Sequence, residues 1–150
     1  MRLWIDADAL PGDLKDLIIR ASQRLSLETV FVANKAIKLP PLPTLRQTIV
    51  GHGPDVADTY IVEQAVTGDV CVSQDIPLAA LLVAKGVVVI DPRGDLHTEA
   101  SIGERLSVRN FMQDLRDAGG ITGGPRPFDA KAKQAFASTL DRVLTKAMRG

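Results

Sequence analysis

Five short apolar runs recur along the chain, and each gives way to a helix-like segment before the next begins. That alternation confines the fold to the α/β class with a parallel sheet. The runs are Leu3-Trp4-Ile5, Thr29-Val30-Phe31-Val32-Ala33, Thr48-Ile49-Val50, Asp69-Val70-Cys71-Val72-Ser73 and Val87-Val88-Val89-Ile90. Between the first two, Pro11 and Gly12 open a stripe of Leu14, Leu17, Ile18, Ala21 and Leu25 at helical spacing. Prolines from 39 to 44 mark a loop. Helices are predicted over 56–67, from Pro77 onward, over 101–118 and over 129–148. Ser101 and Glu104 carry the spacing of a capping box, and Ser107 offers a point where the 101–118 helix would restart.

The chain has 150 residues, which favours a single domain. Five strands with short connections predict a doubly wound, three-layer α/β/α sandwich. In such a sheet the site lies beyond the carboxyl ends of the strands, where the winding reverses.

Composition removes several functional classes. Lys+Arg and Asp+Glu each number 18, so the net charge is zero and no bulk attraction to nucleic acid or acidic lipid is built in. One cysteine, Cys71, excludes an internal disulfide and any CxxC zinc site. No apolar run approaches the roughly 18 residues of a membrane span, and the start of the chain lacks the pattern of a signal peptide. The expectation is a cytoplasmic bacterial protein with no membrane partner.

Acids mark the strand ends. Asp6 and Asp8 follow the first strand and would share a side in an extended segment. Asp55 and Asp58 fall on one helix face after the third strand, Asp75 follows the fourth and Asp91 the fifth. Carboxylates this close repel one another unless they share a proton or a divalent cation. An all-oxygen donor set suits Mg²⁺ or Mn²⁺. Taken singly, Asp55 and Asp75 also read as helix caps, and Asp91 before Pro92 as a turn. Asp6 is harder to dismiss, because an acid closing a buried strand needs a partner.

Other residues rank lower. Cys71 reads as core, and His52 and His97 as surface residues. Gly51-His52-Gly53-Pro54-Asp55-Val56 imitates a dinucleotide fingerprint but puts Val56 at the third glycine position. The glycine-rich segment 119–125 has no P-loop ending and reads as hinge or turn material, or as a surface that closes on a substrate. Arg105, Arg109 and Arg116 share a helix face, while Arg46 and Arg93 are expected near strand ends, where phosphate contact would be useful. Aromatics make up only 4%, so no base-stacking platform is evident.

Six segments in order resemble the uncharacterised bacterial YaiI/YqxD family over nearly the whole chain. They are Asp6-Ala7-Asp8-Ala9-x-Pro11, Asp55-x-Ala57-Asp58, Asp75-Ile76-Pro77-Leu78-Ala79, Pro92-Arg93-Gly94, Arg109-x-Phe111-Met112 and Thr122-Gly123-Gly124-Pro125. Members often carry cysteine before the first proline, where this chain has Leu10. The family is grouped with PIN-like domains, metal-dependent ribonucleases with a parallel sheet and an acidic cluster. The resemblance implies that Asp6, Asp58 (or Asp55) and Asp75 are the metal-binding and catalytic acids, with Asp8 and Asp91 supplementary. It implies Mg²⁺ or Mn²⁺ as cofactor and RNA as partner, with Arg46, Arg93 and Arg109 as substrate contacts.

Two other readings compete with this one. Ile5-Asp6-Ala7-Asp8 also resembles the nucleophile strand of haloacid-dehalogenase-type phosphatases, with Asp6 as nucleophile and Asp8 as general acid. A non-catalytic module that binds metal, RNA or protein would keep the acidic pocket without turnover.

Overall fold

Strands that are sandwiched between two helical layers bury both faces, and their sequences must be apolar throughout. In the computed structural model, which describes residues 1–53, 55–119 and 128–149, the strands β1 (Leu3–Asp6), β2 (Thr29–Ala33) and β4 (Val70–Val72) have every residue buried. β5 (Val88–Ile90) is nearly as enclosed. The sheet has six strands in the order β3-β2-β1-β4-β5-β6. All neighbours run parallel except β5 and β6 (Leu96–His97), which pair antiparallel.

One face carries α1 (Gly12–Leu25) and α5 (Ala130–Met148) over Leu3, Ile5, Phe31, Val70, Val72 and Ile90. The opposite face carries α2 (Val56–Gln64) and α3 (Ile76–Ala84) over Trp4, Val30, Val32, Cys71 and Val89. The fold is the expected three-layer α/β/α sandwich. The fourth helix, α4 (Glu99–Asp117), packs along α3 and leaves none of its own residues fully buried.

Several local expectations change. The sheet has six strands rather than five, because the turn after β5 folds Leu96-His97 back onto Val89 and Ile90. That pairing buries His97 at 4% exposure, against the surface position expected for it. β3 is Leu45–Ile49, three residues earlier than its apolar tail suggests, since pairing with β2 rather than burial defines it. α2 stops at Gln64, and α4 runs unbroken through Ser107. The capping box of α4 joins Thr98 and Ser101, not Ser101 and Glu104. The glycine-rich segment, from residue 120 onward, lies outside the described residues, as does Pro54.

Close helix approach explains one glycine. Gly94 sits at φ +94°, and a Cβ there would meet the Ala135 carbonyl of α5 at 2.7 Å. The Thr139 hydroxyl donates to the Gly94 carbonyl at 2.7 Å, pinning α5 to the turn after β5. No helix among the described residues is long and apolar enough to cross a membrane.

Candidate active site

The winding of the sheet reverses between β1 and β4, whose chains leave in opposite directions along the strand order. A crevice at the carboxyl ends of these two strands is what such a switch point creates. Asp6 closes β1, and Ser73 follows β4 directly beside it. The Ser73 hydroxyl donates to Asp6 Oδ2 at 2.8 Å and accepts the Asp75 backbone N–H at 3.0 Å. One serine therefore ties the buried acid of β1 to the first acid of α3. Ser73 was not among the expected site residues; its only sequence signal is its position at a strand end, two residues before an aspartate.

Asp75 is the N-cap of α3, its Oδ1 accepting the Leu78 N–H at 2.9 Å, with Pro77 in the first turn. The cap reading is thus correct, and it leaves the second carboxylate oxygen for other work. Asp58 stands in the first turn of α2 and shares a hydrogen bond with the Asp75 carboxyl. Trp4 packs edge to face on Tyr60, ring centroids 6.2 Å apart, which fixes α2 against β1 and so holds Asp58 over the crevice.

Electrostatics follow from this crowding. Partial burial, then the bond to Asp75, then the charges of Asp75, Asp6 and Asp55 push Asp58 up to about 7. Asp6 is raised mainly by burial; the Ser73 hydroxyl pulls it back down, and the charges of Asp75 and Asp8 add to the rise. Near neutrality the cluster holds a proton that an isolated set of aspartates would have lost.

The remaining acids are placed differently. After Asp6 the chain enters a 3-10 turn (Ala7–Ala9), so Asp8 does not alternate in register with Asp6. Both Asp8 oxygens instead accept the Asn34 N–H at 3.1 Å, at the end of β2. Asp55 precedes α2 in a left-handed conformation at φ +69°, one that aspartate tolerates, and makes no side-chain cap. Asp91 stays with its own turn: Oδ1 accepts the Arg93 N–H at 2.7 Å. Burial raises Asp91, and the charges acting on it are Asp95, His97 and Arg105. Here the turn reading holds, and Asp91 does not join the cluster.

The arginines separate as well. Arg46 pairs with Glu28 at 2.8 Å at the amino end of the sheet, opposite the acids, because β3 runs parallel to its neighbours and Arg46 lies at its start. Arg109 is exposed on α4 and bonds the Asn110 side chain at 3.2 Å. Arg93 follows β5 on the carboxyl side of the sheet. Cys71 is fully buried, and burial drives its thiol well above the ordinary range, as a core cysteine. His52 is exposed.

Among the described residues, no three His, Cys, Asp or Glu side chains already enclose a space for a cation. The reason is visible in the bonds: Asp8 is spent on Asn34, Asp75 in part on Leu78, and Asp58 and Asp75 share a hydrogen bond. The donor chemistry nonetheless fits a hard divalent ion, since the converging groups are carboxylates and one of them is protonated near neutrality for want of a counter-charge.

A family model for the uncharacterised YaiI/YqxD proteins matches residues 4–146. The chain belongs to that family. Among its bacterial relatives, the UPF0178 protein of Myxococcus xanthus is 56% identical over 149 residues, covering 99% of this chain and 97% of the relative. The UPF0178 protein of Syntrophobacter fumaroxidans is also 56% identical with the same coverage. That of Dechloromonas aromatica is 50% identical over 146 residues, covering 97% of each chain. No solved structure matches. This YaiI/YqxD chain thus spans essentially the full length of its relatives, with the Asp6, Asp58 and Asp75 segments inside the matched region.

Proposed function

We propose that the protein is a Mg²⁺- or Mn²⁺-dependent nuclease that hydrolyses RNA phosphodiester bonds at Asp6, Asp58 and Asp75. The observation that carries this reading is the shared hydrogen bond of Asp58 and Asp75, beside Asp6, at the switch point of the sheet. The resemblance to PIN-like domains supports it at the level of fold and acid pattern.

Asp6, Asp58 and Asp75 would hold the cation, which when bound supplies a polarised phosphoryl oxygen and a water acidic enough to attack. Asp6 is oriented for that work by Ser73. Asp75 is fixed by its bond from Leu78, so its free oxygen faces the cluster without rotamer searching. Asp58, with its proton near neutrality, gives that proton up when a counter-charge arrives and is then a carboxylate in the site. Arg93, on the same edge of the sheet, is the phosphate-positioning cation of this reading, with weaker contributions from the exposed Arg109. Arg46 takes no part, given its place beside Glu28.

The test is cleavage of labelled single-stranded RNA with Mn²⁺, comparing wild type and Asp6→Asn purified in parallel. Loss of at least about 100-fold in the variant is expected of a group on which catalysis turns. Equal cleavage by both proteins would assign the activity to a contaminant and sink the proposal.

A further inference from the structure

A helix that is apolar on every side is normally enclosed. α3 has the sequence Ile-Pro-Leu-Ala-Ala-Leu-Leu-Val-Ala, without one charged residue, yet Leu81 is 57% exposed. Leu81 forms one wall of a groove of about 520 Å³ between α2 and α3, with Val62 and Pro77 continuing the apolar surface. The polar rim comes from α2: Asp58, Thr59 and Glu63. Among the described residues no lysine or arginine lines this groove. Lys85, which reaches Val62, spends its ammonium on that residue's carbonyl at 2.6 Å.

Such a lining repels phosphate. It suits a flat apolar group whose edge carries N–H donors, since the charged rim groups only accept. Asp58 belongs both to this groove and to the acid cluster, so whatever fills the groove lies next to the reacting centre. We propose that the α2–α3 groove is the subsite for an amino-bearing nucleobase of the strand whose phosphate meets Asp58, an inference that rests on the nuclease reading. Adenine, cytosine and guanine each present an exocyclic amino group to Glu63 and Thr59, with the ring against Leu81, Val62 and Pro77. Uracil presents carbonyls instead and is disfavoured.

Two measurements separate this subsite from the activity itself. Adenosine and uridine, both free of phosphate, are titrated into the full-length protein without metal, and amide shifts are followed by NMR. Adenosine is expected to perturb the amides of Val62, Glu63 and Leu81, and uridine to do so far less. In the second, cleavage of oligo(A) and oligo(U) with Mn²⁺ is compared for wild type and Leu81→Ala, an exposed, helix-compatible change. Base contacts of the stacking class predict that the variant lowers the A-over-U preference by about fivefold or more.

Equal or absent shifts for both nucleosides would overturn the subsite, even if RNA is cleaved. Adenosine shifts at these amides without cleavage by wild type would sustain the base site and remove the nuclease reading. A dimer in sedimentation that Leu81→Ala dissolves would assign the groove to a second copy of the chain and overturn the proposal.

Discussion

The indole Nε1 of Trp4 donates to Asp69 Oδ2 at 3.0 Å, joining β1 to the residue before β4 through a carboxylate only 2% exposed. The same carboxylate accepts the backbone N–H of Arg2 and of Val66, both at 3.0 Å. Three donors from three segments make Asp69 a knot at the amino end of the sheet. Asp69→Ala leaves those donors buried without acceptors and is expected to cost about 2–4 kcal/mol. Urea unfolding is the check, and a midpoint within error of wild type would show that water replaces the carboxylate.

Ser73 holds Asp6 where a cation would need it. Ser73→Ala removes the bond that pulls the Asp6 carboxyl down, so Asp6 rises further toward the neutral acid. Mn²⁺ affinity is expected to fall about tenfold or more, as for other groups that orient a ligand. Calorimetric titration measures it, and unchanged affinity would detach Ser73 from the site.

The raised Asp58 carboxyl has a defined sign in stability. Its folded value, about 7, lies above the ordinary 3.8, so the folded state keeps its proton where the unfolded chain has lost it. In metal-free protein this contribution is complete below about pH 4 and is lost as pH rises to about 7. Asp58→Asn cannot ionise, and at pH 8 it should exceed wild type by about 1–2 kcal/mol, a figure reduced for the solvent around a half-buried group. Parallel thermal midpoints for the two proteins from pH 4 to 8 would contradict this. Added Mn²⁺ at pH 7 should release a proton from wild type and less from the variant.

Gly94 and Gly12 make opposite forecasts from one substitution. Alanine at 94 meets the α5 backbone at 2.7 Å at a positive φ, and a loss above about 2 kcal/mol is expected. Alanine at 12, the first residue of α1, meets nothing within 4 Å and should be neutral or gain up to about 1 kcal/mol. Chemical denaturation of the pair provides an internal control.

The sandwich was legible because β1, β2, β4 and β5 are buried, and burial writes itself into composition. β3 and β6 were read poorly or missed because pairing creates them. Arg46, Gln47 and Thr48 have no apolar pattern, and Leu96-His97 is too short to show one. At the site, Asp6, Asp58 and Asp75 could be named from strand ends alone. Asp8 and Asp91 were overreached for the same reason: a 3-10 turn and a four-residue turn redirect them, and neither has a periodic signature. Ser73 was passed over because a serine announces nothing until its neighbours are known in space.

The two outermost strands also decide how the sheet meets the outside world. An open rim of backbone groups invites a foreign strand, and aggregation begins there. β6 is two residues long and offers almost no template, while on β3 the Gln47 amide bonds both the N–H and the carbonyl of Ile37, drawing the preceding loop alongside. Arg46 adds a charge on the same strand. Both rims are blunted, so further copies of this chain find no ready edge on which to polymerise.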